Sequence, residues 1–216
     1  MVSGKIRLKF HKTGRLKFIS HLDLMRTVQA AILRAKIPIY YTEGFNPHPK
    51  MVFALPVALG DESVCEYLDI RLNEPMEPEA LLTALNAQFP SELRFVECYA
   101  RESEHDFHEI CTALYRFTFR ETDRAAVAAA MEGELPVVKK SKKGMVEVDL
   151  RPNVVEYRFE EQEDGFVMEA KLNAGEFNFV NPENLVKALR EKTGLPIDDY
   201  DVLRTAVLLS DGSNFR

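Results

Sequence analysis

Several features that would quickly assign a protein class are missing from this sequence. No run of about 18 apolar residues is present, which excludes a membrane-spanning helix. Residues 1–7 carry charges with no apolar signal core behind them, so we expect a cytoplasmic protein. The sequence contains no GxGxxG, GxxxxGKS, GxxxxGKT or GxSxG motif, so the common nucleotide-binding and hydrolase signatures are also missing.

Cysteine is scarce as well. The 216 residues include three cysteines, an odd number that fits reduced thiols in a cytosol. None of them lie at CxxC or CxxxCxxC spacing, so the chain cannot hold an all-cysteine iron–sulfur cluster alone. Zinc-type ligands do occur near one another at Cys98, His105, His108 and Cys111. Their spacing matches no structural zinc pattern, so we interpret the segment as a linker and expect no metal site.

Charge is distributed unevenly along the chain. The whole sequence has a net charge of −6, which by itself argues against a nucleic-acid-binding protein. Residues 1–60, however, hold ten lysines and arginines against two acidic residues, a net charge of +8. Residues 61–216 carry a net charge of −14. This asymmetry indicates a polyanion-facing surface in the first part of the chain and a separate acidic surface elsewhere.

The order of predicted elements favours an α+β protein with two ferredoxin-like domains, each a split βαβ unit with an antiparallel sheet. Residues 5–10 alternate charged and apolar side chains, which predicts a strand with one wet, basic face. Ser20 caps a predicted helix that Pro38 ends, and Pro78 begins a second helix. Further strands are predicted for residues 51–55, 66–72 and 93–98.

The second half repeats much of this order. Its helices are predicted to begin after the cap residues Asp123 and Asn181. Its predicted strands are residues 113–119, 136–141, 145–150, 154–160, 166–172 and 202–209. The pattern P-E-x-L-aliphatic-x-A-L occurs at residues 78–85 and again at 182–189, which favours an internal duplication, although generic amphipathic helices also look alike. The predicted domains are residues 1–100, a linker at 101–110, and residues 111–216.

Cations and aromatic rings make the first half the candidate RNA-binding part. Lysine and arginine neutralise phosphates, and aromatic rings stack on unpaired bases. Residues 38–49 are predicted to form a strand followed by a rigid, turn-rich loop, because Gly44, Pro47 and Pro49 restrict its path. The predicted contacts are Arg7, Lys9, Arg15, Lys17, Arg26, Arg34, Phe45, Asn46, His48 and Lys50. The alternative is a solvated charged face with no ligand.

Two histidines are candidates for chemistry. His21 lies in the first turn of a predicted helix, where the helix dipole favours a neutral imidazole that can act as a base. His48 lies between two prolines, which stiffen its backbone and can aim its side chain. The alternative is that both are ordinary surface histidines. The basic segment 139–144 is interpreted as a hairpin tip, with a secondary phosphate contact as the alternative.

Several strings in the first 75 residues resemble a known family. They are FISHLDLMR at 18–26, EGFNPHP at 43–49 and FALP at 53–56. On these residues the chain is similar to the radical SAM-linked protein family, described as domain of unknown function 2344. The resemblance implies a partner: a radical SAM protein of the cobalamin-binding type, encoded beside such chains or fused to them. This chain lacks that half, so the resemblance implies that the iron–sulfur cluster, SAM and cobalamin belong to a separate polypeptide.

Three hypotheses about function follow. In the first, the chain is an accessory protein without catalytic activity of its own, which holds tRNA or rRNA on its basic N-terminal face and presents it to a radical SAM partner. In the second, it is an RNA nuclease or RNA-modifying enzyme that uses His21, alone or together with His48. In the third, it is a protein-interaction subunit without nucleic acid, and its basic patch receives an acidic partner surface.

Overall fold

Alternating strands and helices build the chain, in agreement with the predicted α+β class. The structure, a computed structural model, describes residues 1–101, 105–141, 144–176 and 178–216. The chain divides into two compact units, Met1–Phe107 together with Arg216, and His108–Phe215. Within the described ranges there are four α-helices, and none is long and apolar enough to cross a membrane.

The N-terminal unit, Met1–Phe107, has the order strand–helix–strand–strand–helix–strand. Its elements are β1 (Val2–Lys12), α1 (His21–Arg34), β2 (Met51–Ala54), β3 (Glu62–Met76), α2 (Pro78–Asn86) and β4 (Leu93–Ala100). The strands lie in the order β4-β1-β3-β2, and each neighbouring pair is antiparallel. A 3₁₀ turn at Gly14–Phe18 connects β1 to α1.

The C-terminal unit, His108–Phe215, has the same order with one inserted hairpin. Its elements are β5 (Thr112–Arg120), α3 (Arg124–Met131), β6 (Pro136–Ser141), β7 (Gly144–Asp149), β8 (Val154–Gln162), β9 (Gly165–Asn173), α4 (Pro182–Thr193) and β10 (Tyr200–Leu208). Here the strand order is β10-β5-β9-β8, again with antiparallel neighbours. The inserted strands, β6 and β7, pair with each other in a separate two-stranded sheet.

Local sequence signals explain where the helices begin and end. The Oγ of Ser20 accepts a hydrogen bond from the backbone N–H of Asp23 at 3.2 Å, which caps α1 as predicted. Asn181 caps α4 in the same way, by accepting from the N–H of Glu183. Helix α4 ends before Gly194, whose φ of 71° lies in the left-handed region that glycine adopts without strain.

The core of the N-terminal unit lies between its helices and one face of its sheet. Because side chains alternate along a strand, Ile6, Leu8 and Phe10 of β1 share that face and are fully buried. The same cluster takes leucines from both helices and aliphatic side chains from β3. Its members include Leu24, Val28 and Ile32 from α1, Leu81 and Leu85 from α2, and Leu68, Ile70 and Leu72 from β3.

Aromatic rings fill much of the core of the C-terminal unit. Phe117 and Phe119 of β5 are fully buried, and the centroids of Phe119 and Phe166 lie 5.0 Å apart. The close pairing of β5 with β9 depends on Gly165 at the start of β9. A Cβ atom at Gly165 would lie 2.0 Å from the carbonyl oxygen of Phe119, so no other residue fits without a backbone shift.

Two details of the predicted fold are wrong. The basic face of β1 is not wet throughout, because Arg7 is fully buried opposite Asp69 of β3. The strand predicted at the start of residues 38–49 does not form either. Ile39 and Tyr41 make isolated bridges, because the chain leaves the sheet edge in a loop before it returns as β2.

We expect Leu68→Ala to lower the free energy of unfolding by about 2–5 kcal/mol, because it removes a fully buried side chain and leaves a cavity. Leu59→Ala is the matched control, since Leu59 is 65% exposed and should change stability by less than about 0.5 kcal/mol. Urea denaturation followed by far-ultraviolet circular dichroism measures both variants. Equal losses would contradict the place of Leu68 in the core.

Candidate nucleic-acid interface

A loop of residues 42–49, named the edge loop, lies just before β2. Two backbone hydrogen bonds close its base. The N–H of Thr42 donates to the carbonyl oxygen of His48 at 2.9 Å, and the N–H of Lys50 donates to that of Tyr40 at 3.0 Å. The two arms of the edge loop are therefore joined to each other at its base.

His48 braces the edge loop from within. Its Nδ1 lies 3.1 Å from the Oγ1 of Thr42 and 3.2 Å from the carbonyl oxygen of Asn46, and its backbone N–H donates to the same Thr42 oxygen at 3.2 Å. The Thr42 hydroxyl therefore contacts both the backbone N–H and the ring of His48. The geometry gives this side chain a positioning role.

Phe45 stands at the tip of the edge loop. Its relative exposure is 111%, more than in an extended reference peptide, and Asn46 beside it is also exposed. Gly44 supplies a φ of 122°, which lies in the region that glycine favours. A fully exposed ring on a hydrogen-bonded loop can stack on a base with little loss of conformational entropy.

The 3₁₀ turn after β1 carries two of the predicted contacts, Arg15 and Lys17, next to the aromatic residue Phe18, and these three residues are named the turn group. The Arg15 side chain is 93% exposed and lies 3.7 Å from a carboxylate oxygen of Glu92. The Lys17 ammonium lies 5.4 Å from the ring centroid of Phe18, which is 66% exposed. Phe18 is absent from the predicted contacts. The sequence feature that could have identified Phe18 is its position between the glycine turn and the Ser20 cap.

His21 begins α1 and packs beside β2. Its ring meets that of Phe53 edge to face, with 5.3 Å between centroids. One turn along the helix, Arg26 lies 3.5 Å from the Asp23 carboxylate and remains exposed. In the part of the chain that the structure describes, no hydrogen bond or ring contact joins His21 to His48. A joint chemical role for the two histidines stays a prediction.

The edge loop and the turn group lie at different levels of the sheet. Lys50 bonds to Tyr40, and the Tyr40 N–H donates to the carbonyl oxygen of Arg71, whose cross-strand partner is Lys5 near the start of β1. The turn group instead follows Lys12 at the end of β1. Seven residues of extended strand span about 23 Å. The edge loop with Lys50 and the turn group therefore form two separate clusters.

Two further predicted cations already have partners. The Nζ of Lys9 donates to Glu97 on β4 at 3.1 Å. The Nε of Arg34, at the end of α1, donates to the side-chain oxygen of Gln88 at 3.1 Å. Both side chains keep some exposure, but a phosphate would compete with these contacts.

Arg7 does not belong to the interface, which corrects the prediction. Its Nε and Nη2 donate to the two carboxylate oxygens of Asp69 at 2.8 and 3.0 Å. Its Nη1 donates to the carbonyl oxygens of His105 at 2.7 Å and Arg216 at 3.1 Å, and its guanidinium lies 4.4 Å from the ring centroid of Phe107. A buried guanidinium with these partners cannot reach a phosphate in solution.

The structure adds little support for a metal site at residues 98–111 or for a phosphate contact at residues 139–144. In the described ranges, no three His, Cys, Asp or Glu side chains are grouped as metal ligands. Burial raises the pKa of the Cys98 thiol to about 11, which disfavours the thiolate that binds metals. In the basic segment 139–144, burial lowers the pKa of Lys139, whereas Lys142 and Lys143 lie outside the described residues.

Residues 5–182 match the family described as "Uncharacterized protein conserved in bacteria (DUF2344)". The chain belongs to this family. Its description names no activity, substrate or partner. Among solved structures, the chain is similar to the crystal structure of an unknown protein from Galdieria sulphuraria, with 12% identity, 93% of this chain and 98% of that chain covered. The TM-score of this pair is 0.28, which is too low to indicate a shared fold. The comparison with curated proteins finds no match.

We expect Arg7→Met to destabilise this DUF2344 protein by about 3–5 kcal/mol, because Asp69 loses a buried counter-charge. Arg26→Met, on an exposed pair, should cost less than about 1 kcal/mol. Denaturant unfolding curves of the two variants test this. If Arg7→Met kept the stability of the wild type, the ion pair with Arg7 would not compensate for the burial of the Asp69 carboxylate.

Thr42→Val should loosen the edge loop, because it removes the hydroxyl that accepts from the His48 N–H and contacts its ring. The backbone ¹⁵N order parameter of Phe45 should fall from about 0.85 towards 0.6 or less. Thr205→Val, at an exposed strand position, is the control and should leave that value unchanged. An unchanged Phe45 order parameter in both variants would show that the contacts between Thr42 and His48 do not hold the edge loop.

Proposed function

We propose that this chain is an RNA-binding accessory protein of a radical SAM enzyme in the cytoplasm. Basic residues among the first 60 contact a single-stranded part of a tRNA or rRNA, and acidic residues in the rest of the chain offer a surface for the protein partner. The observation that carries the proposal is Phe45, fully exposed at the tip of a braced loop.

Each of the two clusters, the edge loop with Lys50 and the turn group, has an exposed aromatic ring with cationic side chains near it in the chain. Lys50 directly follows the edge loop, and no carboxylate pairs with it among the described residues. The turn group adds the exposed Arg15 and places the ammonium of Lys17 over an exposed ring, that of Phe18. Stacking platforms next to cations are the features with which proteins hold unpaired nucleotides. The separation of the two clusters favours an extended polynucleotide over a compact anion.

We also propose that the two units are ferredoxin-like domains related by duplication. Both follow strand–helix–strand–strand–helix–strand, the order of a split βαβ unit, and their strand orders correspond position by position. The helices that share the P-E-x-L pattern, α2 and α4, occupy the same place in the two units. The β6–β7 hairpin is then an insertion in the second copy.

The radical SAM partner is proposed from the resemblance in residues 18–26, 43–49 and 53–56. An iron–sulfur cluster, SAM and cobalamin would belong to that separate polypeptide. The net charge of −14 in residues 61–216 supports a partner surface distinct from the RNA surface, because clustered carboxylates repel phosphates.

Fluorescence anisotropy with a labelled single-stranded RNA tests RNA binding. Phe45→Ala should weaken binding by about 1–3 kcal/mol, or about 5- to 150-fold, through lost stacking on one base. Phe179→Ala, at a partly exposed ring of the C-terminal unit, is the matched control and should leave the affinity unchanged. Arg15→Gln and Lys50→Gln, one from each cluster, should each lower the slope of log affinity against log salt by about 1.

A salt-independent affinity, or no retention of RNA, would refute the RNA-binding proposal. RNA turnover by the wild-type chain that is lost in a folded His21→Ala variant would refute the accessory role in favour of an enzyme. For the partner, affinity purification of the tagged chain from its own organism should recover a polypeptide with a CxxxCxxC cluster motif. Recovery of other proteins alone would contradict the radical SAM assignment.

A further inference from the structure

A cavity of about 220 Å³ lies on the face of the N-terminal sheet opposite the helices. Four cationic side chains line it, together with two carboxylates and an apolar wall. The cations are Lys5, Lys50, Arg71 and Arg101. The apolar wall consists of the side chains of Val52 and Phe107.

Both carboxylates of the lining are already neutralised. Asp69 lies 2.8 Å from the Nε of Arg7 and, through its other oxygen, 2.8 Å from the Nε of Arg101. Asp106 lies 2.7 Å from the Nη2 of the same Arg101. Among the described residues no carboxylate pairs with Lys5, Lys50 or Arg71, so the cavity has an excess of positive charge on one side.

The strand register brings these three cations to one level of the sheet. Lys5 and Arg71 are direct cross-strand partners in the β1–β3 pair. Like charges directly opposite one another destabilise a sheet unless an anion lies between them. The Arg71 guanidinium also lies 4.5 Å from the ring centroid of Tyr40, which restricts the orientation of its donors.

We propose that this cavity is a binding site for a small organic phosphate. The phosphate group lies among Lys5, Lys50 and Arg71, and the organic group packs against Val52 and Phe107.

The donor set fits a phosphate better than a carboxylate. A phosphate monoester carries nearly two negative charges and three terminal oxygens, so it can accept from a guanidinium fork and from two ammonium groups at once. A carboxylate offers one charge and two oxygens in a plane. The cavity volume leaves space beside the phosphate for a small ring or sugar.

This inference does not depend on RNA binding, although Lys50 serves both proposals. Phe45 does not line the cavity, and Lys5, Arg71 and Arg101 are absent from the predicted RNA contacts. A failure of either proposal leaves the other open to test with its own ligand and its own variants.

Isothermal titration calorimetry with inorganic phosphate and phenyl phosphate, at constant ionic strength, tests the site. We expect one saturable site per chain, with phenyl phosphate bound more tightly than inorganic phosphate because its ring reaches the apolar wall. Arg71→Gln and Lys5→Gln should each weaken the binding of phenyl phosphate at least about tenfold, since a charge-assisted hydrogen bond is lost. Thermal unfolding checks that both variants fold. If Arg71→Gln does not fold, the result with Lys5→Gln decides the test.

Arg15→Gln is the matched control, because this exposed arginine belongs to the turn group and should not affect phenyl phosphate binding. Phe45→Ala, which should weaken RNA binding, should also leave phenyl phosphate binding unchanged. Absence of saturable phosphate binding would overturn the proposal. Equal affinity for benzoate, or unchanged affinity in folded Arg71 and Lys5 variants, would overturn it as well.

Discussion

The buried carboxylate of Asp69 determines the arrangement of charged side chains on one face of the N-terminal sheet. It lies in the central strand β3 with a relative exposure of 8%, where an uncompensated charge costs several kcal/mol. Arg7 and Arg101 compensate it from the neighbouring strand and from the end of β4. Arg7 then holds the carbonyl oxygen of His105 and lies over Phe107. One buried charge thus fixes residues 105–107 against the sheet and shapes the cavity beside them.

Signals that act over a few residues were sufficient to predict the helices. Ser20 and Asn181 cap α1 and α4 because their side-chain oxygens reach N–H groups two or three residues ahead. The pairing of Arg7 with Asp69, in contrast, spans 62 residues. Strand alternation correctly separates Arg7 from the apolar face of β1, but a pattern within one strand contains no information about the charge on its neighbour. The expectation of a wet basic face failed for that reason.

The candidate site shows the same division between local and distant information. Glycine and proline predicted a rigid loop around Phe45, whereas the bonds between Thr42 and His48 became visible only in the structure. Counting charge over residues 1–60 suggested one basic surface, but the seven residue steps along β1 from Lys5 to Lys12 separate its two basic clusters by about 23 Å. Arg71 and Arg101 lie in the stretch with net negative charge, so charge counting along the chain hid them.

The bracing of the edge loop also separates the residues that set its shape from the residue at its tip. The Thr42 hydroxyl contacts both the backbone N–H and the ring of His48, so one side chain serves two contacts within the loop. Phe45 is fully exposed and takes no part in these contacts. A substitution at position 45 therefore changes the chemistry of the surface without releasing the loop, whereas a substitution at Thr42 changes the loop itself.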